Sequence, residues 1–265
     1  MNAQTWTLKT TIDGPEDAPV LVLGHSLGSS HVMWDEVVAA LADRVRVIRY
    51  DLPGHGGSAP APLDRPMTMA DVTAALTRTL ADLGVERYHL AGLSFGGLTT
   101  LAMGTAAPAG LESIAVFGSG PVTAPLEQWP ERAALVREQG AEGLIEATFE
   151  RWFTKDARTE HADVWQRVRD AFAGCDREGY AQACEVLGST DLSDDVAAIA
   201  VPTLLVAAEN DGALNYDTAE PLARTIGAGA TPVEVVRLAD VKHMSAVERP
   251  REVAVALARH IGVDA

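Results

Sequence analysis

Short apolar runs alternate with longer amphipathic patterns along much of the chain. This alternation predicts an α/β protein, in which a mostly parallel central sheet is flanked by helices. An unbroken apolar run such as residues 114–117 is typical of a strand that is buried on both of its faces. The predicted core strands span residues 20–24, 45–50, 89–93, 114–118, 203–208 and 233–238.

Other segments of the same pattern predict the covering helices and the edge of the sheet. Apolar residues recur at helical spacing within residues 69–83 and 250–261, which predicts an amphipathic helix in each segment. Residues 5–12 are predicted to form an edge strand, because a turn-forming Asp-Gly-Pro sequence follows them.

The alternation is interrupted between Pro121 and Pro202. Short amphipathic helices replace the strands there, which indicates a helical cap (lid) over residues 122–195 on a core of residues 1–121 and 196–265. Three of the five tryptophans fall in this cap, and we interpret them as part of its own hydrophobic core in preference to a ligand pocket. The predicted cap helices span residues 131–139, 142–153, 162–172 and 178–187.

Composition and charge narrow the classes of partner. The 265 residues include 37 acidic and 21 basic side chains, and the net charge of −16 disfavours nucleic acid and anionic membrane surfaces. The apolar runs are far shorter than a membrane span and no secretory signal is visible, so a cytoplasmic protein with a small-molecule partner is predicted. Cys175 and Cys184 indicate neither a disulfide scaffold nor a zinc site, no metal or organic cofactor is expected, and a homo-oligomer is left open.

A candidate nucleophile lies directly after the predicted strand at residues 89–93. The sequence Gly-Leu-Ser-Phe-Gly centred on Ser94 matches the G-x-S-x-G pattern, in the strand–turn–helix context of a nucleophile elbow. Such an elbow raises the serine hydroxyl above the sheet edge, next to N–H groups that stabilise an oxyanion. The pattern alone is weak, because a tightly packed turn or a nucleotide-binding turn also uses glycines, although no dinucleotide or P-loop motif is present.

Ser94 would need a base to take its proton and a carboxylate to orient that base. In chains with this elbow the acid and then the base follow late strands, and Asp211 and His243 occupy those two positions. Three residues in the required order are harder to dismiss than any one of them alone. The alternatives that remain are His260 as base, and Glu209 and Asp217 as acids.

Two backbone N–H groups are predicted to form an oxyanion hole. One belongs to Phe95, the residue after the nucleophile, and the other to Leu27, in the loop after the strand at residues 20–24. Ser26, beside Leu27, is an alternative donor and a candidate for contact with the substrate. Three nearby polar side chains are interpreted as structural, holding their loops by hydrogen bonds: His25, Asp51 and His55.

Over essentially its whole length the chain resembles the α/β-hydrolase superfamily, through the elbow at Ser94, the Gly-His-Gly loop around His55, and the late Asp211 and His243. Within that superfamily it is most similar to the 3-oxoadipate enol-lactonases of the β-ketoadipate pathway. The segments that carry this likeness are residues 25–28, 33–35, 49–51 and 92–98 in the core, and 150–154 and 178–180 in the cap.

The resemblance implies an α/β-hydrolase fold and a serine hydrolase that opens 3-oxoadipate enol-lactone without a cofactor. It also implies a cation under the cap for the free carboxylate of the substrate. Arg132 beside Trp129 is the predicted pair, Arg137 and Arg151 are the other cap arginines that remain open, and Trp152 is predicted in the pocket wall. Three departures from the family pattern leave the serine, the acid and the base in place but bear on which substrate is used. They are His25 in place of a common Asn, Phe95 in place of Met, and the acid loop at residues 209–214.

Other functions remain open from the sequence. A carbon–carbon hydrolase of ring-cleavage products, a general carboxylesterase and a perhydrolase share the core motifs, so the cap separates them from a lactonase. A small-ligand receptor on the same fold has no need to keep the serine, the acid and the base together. The presence of all three therefore favours an enzyme over a receptor.

Overall fold

The computed structural model describes residues 6–229 and 231–264. The strands in this part of the chain are β1 (Thr10–Asp13), β2 (Val20–Gly24), β3 (Arg46–Tyr50), β4 (Tyr88–Leu93), β5 (Leu111–Phe117), β6 (Thr203–Ala208) and β7 (Val233–Leu238). They form one sheet in the order β1-β3-β2-β4-β5-β6-β7. Only the β1–β3 pair is antiparallel among these strands, and the other neighbours run parallel.

The six predicted core strands are confirmed, with small differences at their ends. The strand predicted over residues 114–118 begins earlier, at Leu111, because Leu111 already pairs with Tyr88 of β4. The predicted edge strand at residues 5–12 is shorter and later, since β1 starts at Thr10, which pairs with Tyr50 at the end of β3. Residue 5 itself lies outside the described residues.

Helices flank the sheet, as the apolar periodicity predicted. The helix predicted over residues 69–83 spans Met69–Asp82, and it begins at a capping box in which the Thr68 hydroxyl accepts the N–H of Asp71. The one predicted over residues 250–261 begins at Pro250, a residue favoured in a first helical turn. The core helices are α1 (Asp35–Leu41), α2 (Met69–Asp82), α3 (Phe95–Ala106), α9 (Tyr216–Gly227), α10 (Ser245–Glu248) and α11 (Pro250–His260).

The segment between β5 and β6 is helical, as expected for the cap. An antiparallel bridge between Val122 and Asp191 joins its beginning to its end. The predicted helix at residues 142–153 is divided into a 3-10 turn, Glu142–Leu144, and a helix over Ile145–Trp152. One short helix, Ala157–Glu160, was not predicted. The helices are α4 (Gln128–Gln139), α5 (Ile145–Trp152), α6 (Ala157–Glu160), α7 (Ala162–Ala173) and α8 (Arg177–Ser189). The division into core and cap at residues 122 and 195 stays a prediction.

Parallel strands bring their carboxyl ends to one edge of the sheet, so the loops after β2, β4, β6 and β7 meet there. Those loops contain Leu27, Ser94, Asp211 and His243, and Phe95 follows Ser94 as the first residue of α3. Within residues 6–229 and 231–264, no helix has the length and apolar character needed to cross a membrane.

Candidate active site

Ser94 occupies a sharp turn between β4 and α3. Its backbone has φ 60° and ψ −113°, a conformation that costs a non-glycine residue free energy and is common where a side chain must be presented for chemistry. Its N–H donates to the carbonyl of Phe117 at 2.9 Å, which ties the turn to β5. A Cβ on Gly92 would collide with the Gly96 carbonyl, and one on Gly96 would collide with Gly24, so the turn requires both glycines.

Asp211 and His243 form a hydrogen-bonded pair at the ends of β6 and β7. Nδ1 of His243 lies 3.0 Å from Oδ1 of Asp211, which also accepts the N–H of Ala213 at 2.9 Å. Burial raises the pKa of Asp211, but the imidazole and the N–H groups of Ala213 and Leu214 outweigh it, so the pKa lies below its ordinary value. The carboxylate is therefore ionised at neutral pH and can stabilise an imidazolium.

Ser94 and His243 line the same cavity, which has a volume of about 430 Å³. Because Nδ1 of His243 is bonded to Asp211, Nε2 is the nitrogen left for proton transfer. No hydrogen bond joins the Ser94 hydroxyl to the imidazole in the described ranges, as is common in enzymes without substrate. Gly118, with φ +51°, passes close behind the pair, since a Cβ there would lie 2.9 Å from Oδ2 of Asp211 and 3.1 Å from Nδ1 of His243.

The alternative acids and base lie elsewhere. Glu209 is exposed and accepts the N–H of Asp240 at 2.9 Å, while Asp217 is exposed in the first turn of α9. His260 is in α11, where burial lowers its pKa to about 4. Of these candidates, only Asp211 contacts His243 in the part of the chain that the structure describes.

The two predicted oxyanion donors are both free of protein acceptors in the described residues. Leu27 lines the cavity beside Ser94, and Phe95 is the first residue of α3, where a helix leaves its N–H groups unpaired. The structure does not bring the Ser26 side chain to the cavity, because it is fully buried and its hydroxyl donates to Sδ of Met244 at 3.7 Å.

Neutral histidines hold the loop that carries Leu27. Nε2 of His55 accepts the N–H of Gly28 at 2.9 Å, and Nε2 of His25 accepts the N–H of Leu52 at 2.9 Å. Both rings are fully buried, and burial lowers their pKa values, that of His55 to about 3. Each ring can therefore act as an acceptor at neutral pH.

All three cap residues predicted to contact substrate line the cavity: Trp129, Arg132 and Trp152. The Arg132 guanidinium donates from Nε to the Tyr180 hydroxyl at 2.9 Å and lies 5.8 Å from the centre of the Trp129 ring. Trp152 stacks on the imidazole of His243, with ring centres 6.1 Å apart and an angle of 30° between the planes. The cap tryptophans thus divide between cap core and cavity wall, with Trp165 in the aromatic core of the cap.

Arg151, one of the other cap arginines left open by the sequence for the substrate carboxylate, also lines the cavity. Arg151 has no carboxylate within salt-bridge distance among the described residues, and the same is true of Arg132. Burial and the nearby charge of Arg132 lower the pKa of Arg151. Arg137, by contrast, is paired with Glu178 and Glu185. The helical spacing of Thr148, Arg151 and Trp152 on one face of α5 is a signal that could have favoured Arg151 over Arg137.

Comparisons with known proteins agree with this architecture. Residues 20–256 match the model of the "Alpha/beta hydrolase family". The chain is 33% identical to 3-oxoadipate enol-lactonase 1 of Acinetobacter baylyi, over 95% of this chain and 91% of that protein. Among solved structures, the enol-lactonase of Burkholderia xenovorans LB400 is similar, with a TM-score of 0.88 and 32% identity over 96% of both chains.

A thermophilic esterase from Thermogutta terrifontis, solved with malate bound, is also similar, with a TM-score of 0.86, 26% identity, and coverage of 95% of this chain and 92% of the esterase. The family match spans most of the chain and includes the segments that carry Ser94, Asp211 and His243. This chain belongs to the α/β hydrolase family.

Proposed function

We propose that this protein is a serine hydrolase that opens 3-oxoadipate enol-lactone to 3-oxoadipate, with Ser94, His243 and Asp211 as its catalytic residues. The full-length similarity to enol-lactonases supports the reaction. The Asp211–His243 pair and the shared cavity of Ser94 and His243 support the residue roles. A cytoplasmic location belongs to the same proposal, and the free cysteines Cys175 and Cys184 support it.

The proposed reaction proceeds through an acyl-enzyme. Nε2 of His243 takes the hydroxyl proton while Oγ of Ser94 attacks the ring carbonyl, and the N–H groups of Leu27 and Phe95 stabilise the oxyanion. The ring C–O bond then breaks with its electron pair going to the enolate oxygen, which takes the proton from Nε2 of His243 to become the enol and leaves the imidazole neutral. Water activated by His243 hydrolyses the acyl-enzyme to a carboxylate, and the enol tautomerises to the ketone.

The observation that carries the choice of substrate is that two cap arginines line the cavity with no carboxylate partner among the described residues. Arg132 and Arg151 face a cavity that contains Ser94, in a chain whose net charge is −16. A neutral ester has no charged group for the two cations in this cavity to bind, whereas the carboxylate of the lactone can be held by a guanidinium in bidentate geometry. The cavity volume of about 430 Å³ suits a small substrate of this kind.

The test compares lactone opening with hydrolysis of p-nitrophenyl acetate, which has no carboxylate. We expect Ser94→Ala to abolish both activities, with a loss of roughly 10⁴-fold or more. Arg151→Met is expected to raise KM for the lactone by about tenfold or more, because a charge-assisted hydrogen bond to the carboxylate is lost, and to leave the ester unchanged. Arg137→Met is the matched control, since that guanidinium is engaged by two glutamates away from the cavity.

Two results would contradict the proposal. Turnover that persists in Ser94→Ala would remove the catalytic assignment. A wild-type enzyme that leaves the lactone intact but cleaves a ring-fission dienone would favour the carbon–carbon hydrolase instead.

A further inference from the structure

The buried carboxylate of Glu248 lies between the cap and the loop that carries His243. Glu248 ends α10 and its side chain is almost completely buried, with 2% of the residue surface exposed. Oε1 accepts the N–H of Thr154 at 2.7 Å and also the Thr154 hydroxyl. Oε2 accepts the N–H of Lys242 at 2.9 Å. One oxygen therefore binds the cap and the other binds the residue before His243.

Further hydrogen bonds join the same two segments. The N–H of Met244 donates to the carbonyl of Trp152 at 3.1 Å, and Nζ of Lys242 donates to the carbonyl of Glu150 at 2.6 Å. Both neighbours of His243 in the chain are thus bonded to residues 150–154, either directly or through Glu248. The Trp152 ring stacks on the imidazole itself, so the cap encloses His243 through its backbone and its side chain.

An ionised carboxylate is a costly group to bury here. In residues 6–229 and 231–264 no cation lies within salt-bridge distance of Glu248, and its hydrogen-bond donors are two backbone N–H groups and a hydroxyl. An apolar side chain would avoid the desolvation cost but would leave those donors buried without acceptors. The carboxylate is favourable only while both segments stay in place, because lifting either of them removes part of its compensation.

We propose that Glu248 is a positioning residue that couples the cap to the catalytic base, so that closure of the cavity and orientation of His243 occur together. This inference rests on the proposed role of His243 in the hydrolysis. Arg151 lies between Glu150 and Trp152, the two cap residues whose carbonyls are bonded to the histidine loop. The same coupling therefore positions the Arg151 guanidinium at the cavity as well as the His243 imidazole.

Glu248→Gln tests the coupling with little change of volume. A glutamine keeps one carbonyl oxygen, but its NH₂ group must face either Thr154 or Lys242, both of which present N–H donors. We expect kcat to fall about tenfold or more with both the lactone and p-nitrophenyl acetate, because the base is displaced. We expect KM to rise for the lactone alone, because only that substrate needs Arg151. Glu252→Gln, at an exposed position in α11, is the matched control and should behave as wild type.

A fall in kcat for both substrates together with a rise in KM for the lactone alone distinguishes a positioning role of Glu248 from a merely structural one. If Glu248 only stabilised the fold, the variant would contain less active enzyme, so kcat would fall equally for both substrates and neither KM would move. That result would overturn the proposal, as would a folded Glu248→Gln enzyme with wild-type constants. Should Glu248→Gln fail to fold, Thr154→Val decides, since it removes only the hydroxyl donor and should give a smaller change in the same direction.

The proposed substrate and the proposed coupling can fail separately. A wild-type enzyme that hydrolyses p-nitrophenyl acetate through Ser94 but leaves the lactone intact would refute the substrate. The kcat of Glu248→Gln with the ester would still test the coupling, and an unchanged value would refute it. In a double-mutant cycle, Glu248→Gln and Thr154→Val should be less than additive, because both act on one contact, and full additivity would contradict the coupling.

Discussion

Asp211 determines which nitrogen of His243 faces the cavity. Its Oδ1 holds Nδ1 of the imidazole at 3.0 Å, and its lowered pKa keeps it ionised throughout the neutral range. In Asp211→Asn the amide NH₂ can donate to Nδ1, which would place the proton on Nε2 and remove the acceptor that Ser94 needs. We expect kcat to fall roughly 10³–10⁴-fold, with little change in KM.

The matched control for this prediction is Asp217→Asn, which changes an exposed carboxylate in the first turn of α9, the helix that follows the same strand. It should retain wild-type kcat in the ester assay. Equal losses in the two variants, or none in Asp211→Asn, would show that the carboxylate bonded to His243 does not orient it.

At the level of single residues, the sequence could predict positions in the chain but not the directions of side chains. The order of the elbow, the acid and the base singled out Asp211 and His243, and the structure brings those two together. It could not show that Ser26 points away from the cavity towards Met244. Glu248 was not identified at all, because its partner Thr154 is 94 positions away in the chain and no local pattern links them.

At the scale of structural elements, hydrogen bonds to two histidines join the loop after β2 to the loop after β3. His55, in the loop after β3, accepts the N–H of Gly28, and His25, in the loop after β2, accepts the N–H of Leu52. His55 also donates from Nδ1 to the carbonyl of Pro53 at 2.8 Å, which leaves Nε2 as the acceptor. The position of the Leu27 N–H, one residue before Gly28, therefore depends on a histidine from another loop.

Replacement of His55 should weaken the oxyanion hole without weakening substrate binding. His55→Leu leaves the N–H of Gly28 buried without an acceptor, and we expect kcat to fall by about 100-fold while KM changes little. His55→Gln retains an acceptor oxygen near the position of Nε2 and should keep most of the activity. Affinity for a boronate that forms a tetrahedral adduct on Ser94 should fall in parallel with kcat, and a loss confined to KM would contradict this role.

The elements themselves were predictable to different degrees. The buried strands were found because a strand covered on both faces leaves an unbroken apolar run, as in β5 and β6. The short β1 was misplaced, since its extent depends on pairing with β3 and not on its own residues. In the cap, α6 has only four residues, too few to produce a helical period in the sequence.

At the scale of the whole molecule, charge and buried histidines make opposite contributions to stability in acid. The net charge of −16 produces self-repulsion, which decreases only when carboxylates take up protons near their ordinary pKa values of about 4. Between pH 6.5 and 5 that relief is small. In the same range the unfolded chain binds protons at its histidines, whereas buried imidazoles in the folded chain do not.

We therefore expect the free energy of unfolding to fall as the pH drops from about 6.5 towards 4. Burial lowers the folded-state pKa of His55 to about 3 and of His260 to about 4, and it also lowers that of His25. These folded-state pKa values lie below the unfolded value of about 6.5, so the three histidines contribute their full stabilisation above that pH. The contribution is lost on acidification, by up to about 1.4 kcal/mol per pH unit for each fully buried ring. Urea unfolding measured from pH 7.5 to 4.5 checks the slope, and His260→Gln should make it shallower. A free energy that stays constant down to pH 4.5 would mean that these imidazoles are protonated in the folded protein, and with that the neutral acceptor role of His55 would be lost.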